Sequence, residues 1–243
     1  MSALPPFELE FPVLSADGVA LVRRPTVEAT AVEIEYRFQE SGRSLYRPVP
    51  GLSRSMYSGD LSVEQVLSGL PPTKKNAPLR SVIRAISKHA SDRNVICHPQ
   101  PLRLLPFRAG FAIAVKVPFV FVEGGRAWWW HAQCRGTHRL LAHDLGFVGA
   151  LIARAYEDLP EYSTAGLELI DCMPPIPGDS DRIGIKRGFE TLPAWTRSDV
   201  DHALHIYSEA LLLVAKKQPD LIRDATARQK RRLSQAGANP WLF

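Results

Sequence analysis

The chain is poor in cysteine and lacks a long uninterrupted hydrophobic run. Its three cysteines, Cys97, Cys134 and Cys172, form no C-x-x-C pair, which argues against a disulfide framework and indicates a reducing compartment. The longest apolar passage, residues 110–122, contains Lys116 and Pro118 and is shorter than the roughly 20 residues that span a bilayer. The first residues lack the basic start and apolar run of a secretory signal. We therefore expect a cytoplasmic protein without a membrane partner.

Familiar catalytic and nucleotide-binding motifs are absent as well. The sequence contains no GxxxxGK[ST] loop, no GxGxxG turn, no GxSxG elbow and no HExxH pair. A restriction-type nuclease needs an acid at one strand end and a D/E-x-K triplet on the next strand. Asp171 suits the first position, but Gly184 stands where the second acid is required. These absences favour a non-catalytic protein without a cofactor, although catalytic residues distant in sequence leave an enzyme open.

Positive charge is present in modest excess and is unevenly distributed. The 243 residues include 30 Lys and Arg against 25 Asp and Glu, a net charge of +5. Residues 41–59 contain no acid, residues 61–90 contain only Glu64, and residues 216–232 carry seven basic residues against two acids. Segregated positive charge is typical of a polyanion-binding surface.

The order of the predicted elements indicates an α+β fold. We expect a mixed or antiparallel sheet packed on a long central helix, with a C-terminal helical pair. Residues 1–197 are expected to form the core domain, with a long basic loop at 39–60, and residues 198–243 the helical pair and an apolar tail. The predicted strands are 29–38, 94–98, 111–122, 126–131, 166–172 and 182–189. The predicted helices are 62–67, 78–90, 138–156, 198–217 and 219–234.

Two glycine features refine this prediction. The Gly124-Gly125 pair is expected to join two strands as a hairpin. Gly146 and Gly149 fall inside the central helix, where glycine lowers helix stability. We expect both to allow another element to pack closely against that helix.

The chemically densest stretch is GGRAWWWHAQCRGTHRLLAHD, residues 124–144. Its possible metal ligands have the spacing H-x2-C-x3-H-x4-H and are His131, Cys134, His138 and His143. A second group, on one side of the predicted 198–217 helix, consists of Asp199, His202, His205 and Glu209. Either cluster would suit a metal-dependent nuclease or hydrolase, which is one alternative function. Capping, core hydrogen bonding or exposure is the more usual role of such histidines, so no metal site is assigned.

The three consecutive tryptophans of this stretch alternate along a predicted strand. Trp128 and Trp130 then share one face, and Trp129 takes the other. At least one face must be core, so a mainly structural role is expected, with an arginine edge that contacts phosphate.

The leading hypothesis from the sequence is a non-catalytic nucleic-acid-binding protein, a subunit or accessory factor of a larger nucleoprotein complex with other protein subunits. Aromatic residues among the basic ones favour RNA or single-stranded DNA over duplex DNA. The residues expected to contact nucleic acid are Arg43, Tyr46, Arg47, Arg54, Lys74, Lys75, Arg80, Arg84, Lys88, Arg126, Arg135, Lys186, Arg187, Arg231 and Arg232.

The C-terminus offers a further alternative. The chain ends in an apolar triplet, Trp241, Leu242 and Phe243, after a basic helix. Short apolar C-terminal peptides commonly dock into grooves of partner proteins. The protein would then be an interaction module that docks through this tail.

Overall fold

The computed structural model describes residues 11–39, 45–135, 139–174, 176 and 181–236, and the side chains of residues 230–236 lie outside that description. The helices are α1 (Ala16–Val22), α2 (Val27–Gln39), α3 (Val49–Tyr57), α4 (Val63–Ser68), α5 (Ala77–Ala90), α6 (Ala142–Ala155), α7 (Arg197–Lys217) and α8 (Pro219–Ala236). The strands are β1 (Cys97–Pro99), β2 (Arg103–Arg108), β3 (Phe111–Val115), β4 (Phe119–Glu123), β5 (Arg126–Gln133), β6 (Gly166–Met173) and β7 (Ile183–Arg187). The predicted α+β class is confirmed.

Five strands form one mixed sheet in the order β1-β4-β5-β6-β7. Neighbouring strands in it are antiparallel except β5 and β6, which are parallel and are connected through α6. A parallel pair needs such a crossover because the chain must return to the same end of the sheet. β2 and β3 form a separate antiparallel hairpin. The carboxyl ends of β5 and β6 therefore lie side by side.

Helices cover both faces of the sheet and create two hydrophobic cores. Trp129 and Leu167 point into the first core, which includes residues of α1, α2, α6 and α7 and of the β2–β3 hairpin. Trp130 and Ile170 point into the second core, with residues of α3, α4 and α5. The alternation predicted for the tryptophans is thus confirmed, since consecutive side chains of a strand point to opposite faces.

The predicted strand at 29–38 is wrong, because this segment belongs to α2. Its apolar and polar residues alternate, but Val32 is 65% exposed and Tyr36 is 50% exposed. The buried residues are instead Thr30, Ala31, Ile34 and Phe38, whose three- and four-residue spacing is that of one helix face. The helical period prevails because α2 packs along α7 rather than in the sheet.

The prediction of a long loop at 39–60 is wrong for residues 49–57, which form α3. Val49, Met56 and Tyr57 of this helix are buried in the second core. The single strand predicted at 111–122 is also wrong, because it divides into β3 and β4. Pro118 lies between the two and has no N–H for a ladder hydrogen bond. The two halves consequently join different sheets.

The hairpin and the C-terminal helical pair match the sequence prediction closely, whereas the predicted long central helix matches it only loosely. Gly124 and Gly125 both have positive φ, as the two central residues of a tight hairpin turn require. α6 occupies the predicted central position, although it begins at residue 142, and α7 is longer, at 21 residues. Val200 and Leu204 of α7 lie in the same core as α6, and the domain boundary at 197 stays a prediction. No helix among the described residues is long and apolar enough to cross a membrane.

Candidate nucleic-acid interface

The largest group of unengaged basic residues lies along α5 and the turn that precedes it. Lys74, Lys75, Arg84 and Lys88 are all exposed, and none of their side chains has an ion pair or hydrogen bond within the described part of the chain. We call these four residues the α5 basic face. Arg84 and Lys88 are four residues apart and therefore project from the same side of the helix. Together they give the outer surface of α5 an unneutralised row of positive charge.

The sequence of α5 and its packing against the second core determine which side of the helix faces solvent. No acidic residue occurs between residues 65 and 91. The opposite side of α5 buries Leu79, Val82 and Ile86 in the second core. Because a helix rises about 1.5 Å per residue, the 14 residues of α5 extend over about 21 Å. The amphipathic pattern thus turns Arg84 and Lys88 to solvent in the second half of the helix.

β7 continues this surface beside α5. The Arg182 backbone N–H donates to Ser81 Oγ at 2.7 Å, and His89 Nε2 lies 3.0 Å from the Gly184 carbonyl oxygen. A Cβ at Gly184 would stand 2.6 Å from the Ala85 carbonyl oxygen, so only glycine permits this approach. Lys186, on the same face of β7, is 53% exposed. Of the predicted contact residues of β7, Lys186 therefore lies on the same side of the sheet as α5.

Several other predicted contact residues have structural partners instead. The Arg80 guanidinium donates to the carbonyl oxygens of Leu67 and Leu70, and so completes the C-terminal end of α4. Arg126 Nε donates to the Thr164 carbonyl oxygen at 2.9 Å, and its guanidinium lies 4.7 Å from the Trp128 ring centroid. These side chains are held against the protein, and the basic charge of the sequence is only partly available to a ligand.

The remaining described candidates are scattered. Tyr46 packs against the second core, and Arg47 is exposed near Lys116. Burial lowers the pKa of Lys116, and the charge of Arg47 lowers it further. Arg54 lies near Cys97, whose pKa burial raises to about 11 against the opposing effect of this arginine. Arg135 lies near Asp17, on the other side of the sheet from α5.

Some predicted positions lie outside the described residues. They are Arg43, His138 and the whole C-terminal triplet Trp241, Leu242 and Phe243. Arg231 and Arg232 belong to α8, but their side chains are not among those described. The roles proposed for all of them stay predictions.

The tryptophans are mainly part of the cores. Trp130 is fully buried and stacks on Phe119 with 4.8 Å between ring centroids, and Trp129 packs against Tyr156. Trp128 is the one of the three that is only partly buried, beside Arg126. Little aromatic surface of this strand is therefore available for base stacking.

The residues of the predicted histidine–cysteine metal site do not converge. His131 faces the first core and contacts Asp17 Oδ1 through Nε2 at 3.1 Å, whereas Cys134 packs in the second core on the opposite face. His143 lies against Trp195, with 4.6 Å between ring centroids. Over the described residues no group of three or more His, Cys, Asp or Glu side chains is arranged to hold a metal ion.

The second predicted cluster is divided as well. Asp199 forms a capping box with Thr196 at the start of α7, which lowers the pKa of its carboxyl group. Glu209 pairs with Arg108 at 2.5 Å, and His202 and His205 are exposed. These residues cap the helix, form a surface ion pair or face solvent.

The sequence did not predict the buried ion-pair network around Glu168 of β6. This carboxylate is 3% exposed and accepts two hydrogen bonds from Arg93, at 2.8 and 2.9 Å, and a short one from the Tyr57 hydroxyl. Burial raises the pKa of Tyr57, and the neighbouring carboxylate raises it further. Lys186 Nζ lies 3.8 Å away. An acid within an apolar strand was the available sequence signal, and the partners of Glu168 come from distant segments.

A second buried network lies on the other face, at the carboxyl ends of β5 and β6. Asp171 is 1% exposed and contacts Arg139 at 3.4 Å and Arg187 at 3.3 Å. Beside it, His131 pairs with Asp17 of α1. Burial raises the Asp17 pKa, but the charge and hydrogen bond of His131 and the charge of Arg135 outweigh this effect and lower it. Arg187, predicted to contact nucleic acid, is therefore part of a buried ion-pair group.

Comparison with protein-family models and with curated proteins finds no match for this chain.

Proposed function

We propose that this protein binds nucleic acid without cleaving it, through the α5 basic face and Lys186. The observation that carries this proposal is the row Lys74, Lys75, Arg84 and Lys88, exposed and without partners in the described part of the chain. Phosphates of a nucleic-acid backbone are neutralised by such Lys and Arg side chains, with release of counterions.

Other arginines of the protein form ion pairs with its carboxylates, which supports a binding role for the unpaired residues of the α5 basic face. Arg23, Arg93 and Arg154 all pair with carboxylates of the protein. The unpaired charge of this row, with no acid among residues 65–91, is not needed to hold the fold together. It creates a positive potential that attracts a polyanion and speeds its association.

Single strands, RNA or DNA, remain the proposed ligand class, and backbone contacts carry the argument. Base stacking contributes less than the sequence suggests, because Trp129 and Trp130 are buried. Trp128, beside Arg126, is the remaining aromatic ring of that strand that a base could contact. Membership of a larger cytoplasmic nucleoprotein complex is part of the same proposal.

Fluorescence polarisation with labelled single-stranded RNA, single-stranded DNA and duplex DNA tests this function. The wild type is expected to bind at low salt, and the double variant Arg84→Gln/Lys88→Gln to bind at least about tenfold more weakly. The matched control is Arg223→Gln, which removes an exposed charge that pairs with Asp220 on α8. Equal binding by all three proteins, or no binding to any probe, would overturn the proposal.

Docking of a protein partner through residues 241–243 is retained as a separate proposal. Removal of these residues is expected to abolish assembly with that partner and to leave nucleic-acid affinity unchanged. Size-exclusion chromatography of the full chain and the shortened chain with cellular extract, followed by the polarisation assay, separates this role from binding at α5.

A further inference from the structure

An unusual concentration of unpaired buried polar atoms lies at the carboxyl ends of β5 and β6. Gln133 and Asp171 are register neighbours in the parallel pair and share the face that carries the first core. The exposed fractions of these two residues are 4% and 1%. Gln133 Nε2 and Asp171 Oδ1 are both buried, and neither has a hydrogen-bond partner among the described residues. Two polar side chains are therefore placed side by side in an apolar layer with unused hydrogen-bonding capacity.

Two arginines complete this cluster. Arg139, which follows β5, and Arg187, at the end of β7, both approach Oδ2 of Asp171, at 3.4 and 3.3 Å. Each makes this contact through one terminal nitrogen, and the Nε atom of each is buried and has no partner within the part of the chain that the structure describes. The Asp171 carboxylate thus positions two guanidinium groups. Most N–H donors of these groups do not contact Asp171.

The cluster has access to solvent through the arginines. Their side chains are 27% and 21% exposed, whereas the side chain of Asp171 is 1% exposed. Buried polar groups in proteins are nearly always hydrogen-bonded, so these four atoms around Asp171 have hydrogen-bonding capacity that a bound group can fill. Asp17 of α1 pairs with His131.

The chemistry of these groups selects the ligand. Two guanidinium groups against one carboxylate leave a net positive charge, and guanidinium N–H groups match the oxygens of a phosphate. Gln133 supplies a third donor from the sheet, which suits a tetrahedral anion with oxygens in several directions. The free Oδ1 of Asp171 can accept only from a hydroxyl or another donor, such as a sugar hydroxyl next to a phosphate.

We propose that Arg139, Arg187 and Gln133 bind a phosphate group of a nucleotide or nucleic-acid strand at the carboxyl ends of β5 and β6, with Asp171 as the positioning residue. This inference deepens the proposed function, on which it rests for the source of the phosphate. It adds a discrete phosphate site to the extended contacts of the α5 basic face.

Isothermal titration calorimetry of the full chain tests the site with three probes at constant ionic strength. The probes are inorganic phosphate, adenosine 5′-monophosphate, and a single-stranded RNA with or without a 5′-phosphate. Arg139→Gln and Gln133→Leu are each expected to weaken binding of the preferred probe about tenfold or more. Preference for the mononucleotide or the 5′-phosphorylated strand identifies a terminal phosphate, and equal binding of both strands identifies an internal phosphodiester.

The Gln133→Leu variant still tests the phosphate site if Arg139→Gln does not fold. Leucine has a similar volume and removes the unpaired amide, so this variant is expected to be at least as resistant to thermal unfolding as the wild type. It should nonetheless lose the rise in Tm that the wild type shows with the bound probe. An unchanged response to every probe in both Gln133→Leu and Arg139→Gln would overturn the inference.

The α5 double variant Arg84→Gln/Lys88→Gln separates this inference from the proposed function. Loss of RNA binding in the α5 variant alone, with the Gln133 and Arg139 variants unaffected, overturns the phosphate site and retains the function. Binding of inorganic phosphate or adenosine 5′-monophosphate that depends on Gln133 and Arg139, without any RNA binding, retains the site and overturns the function.

Discussion

At the residue scale, buried charges in this protein are paired across distant parts of the chain. Glu168 joins Arg93 and Tyr57, and His131 joins Asp17. Burying a charge is costly unless it is paired and hydrogen-bonded, so each pair fixes one element against another. The Glu168 group attaches α3 and the segment after α5 to β6, and the His131 group attaches α1 to β5.

The His131–Asp17 pair predicts a pH-dependent stability. Burial lowers the pKa of His131, but Asp17 outweighs burial and raises it above 6.5, while the pKa of Asp17 is lowered below 3.8. The stabilisation by the raised His131 pKa is complete below pH 6.5 and is lost as pH rises through the folded-state pKa. The stabilisation by the lowered Asp17 pKa is complete above pH 3.8 and is lost as pH falls through its folded-state pKa.

Urea unfolding of the wild type and His131→Gln at pH 5.5 and pH 9 measures this effect. The wild type should be more stable than the variant by about 1.5–3 kcal/mol at the lower pH, the usual contribution of a hydrogen bond between charged groups. The difference should shrink at pH 9. Asp17→Asn serves as the control and should remove the same pH dependence. A difference between wild type and His131→Gln that does not vary with pH contradicts the assignment.

The Glu168 network predicts a large cost when its carboxylate is removed. Glu168→Gln leaves Arg93, whose side chain is 14% exposed, without its main partner. We expect the free energy of unfolding to fall by about 3 kcal/mol, as for other broken buried ion pairs. Tyr57→Phe keeps the ion pair and removes one hydroxyl, so its cost should be smaller. Chemical denaturation of both variants checks the order, and equal or reversed costs would count against a central role for the carboxylate.

At the element scale, the sequence predicted correctly the helices and turns that local residues determine. It failed where tertiary packing determines the structure. The hairpin at Gly124-Gly125 and helices α5, α7 and α8 were predictable because turn residues and helical periodicity are local signals. The alternation at 29–38 suited a strand, yet the burial of Ile34 and Phe38 against α7 makes it a helix. Such a choice depends on a partner 170 residues further along the chain, which local patterns do not specify.

The candidate site shows the same division. The α5 basic face was predictable from a charge row on an amphipathic helix. The engagement of Arg80 with two backbone carbonyls and of Arg187 with Asp171 was not, because hydrogen-bond partners depend on tertiary contacts. The phosphate cluster was missed for that reason, since Gln133, Arg139 and Asp171 carry no shared motif.

Gly146 gives a prediction at this scale. A Cβ at this position of α6 would overlap the Pro193 carbonyl oxygen, which belongs to the segment before α7. Gly146→Ala should therefore reduce the free energy of unfolding by about 1–3 kcal/mol through overpacking. Gly51→Ala in α3 is the matched control, since nothing lies within 4 Å of its added Cβ, and it should stabilise by about 0.5–1 kcal/mol. Thermal unfolding of the two variants should shift in opposite directions, and a shift in the same direction contradicts the packing explanation.

At the scale of the whole molecule, ion pairs neutralise much of the positive charge. A row of unpaired basic side chains is left around α5. The net charge of +5 is modest, but most described arginines pair with carboxylates or backbone carbonyls. Lysines and Arg84 around α5 are left on one side of the sheet, and the proposed phosphate cluster lies at the carboxyl ends of β5 and β6. The two contacts lie on opposite faces of the sheet, so the salt-dependent contacts on α5 and the discrete phosphate contact are separate parts of the account.

The salt dependence of RNA binding tests the central claim most directly. With four phosphate contacts on the α5 basic face, the slope of log K against log salt concentration for a single strand should be about −3. Replacing Arg84 and Lys88 by glutamine should bring it to about −1.4, because two of the contacts are removed. Arg223→Gln should keep the wild-type slope. A slope near zero in the wild type, or a slope that the double variant leaves unchanged, would contradict nucleic-acid binding through α5.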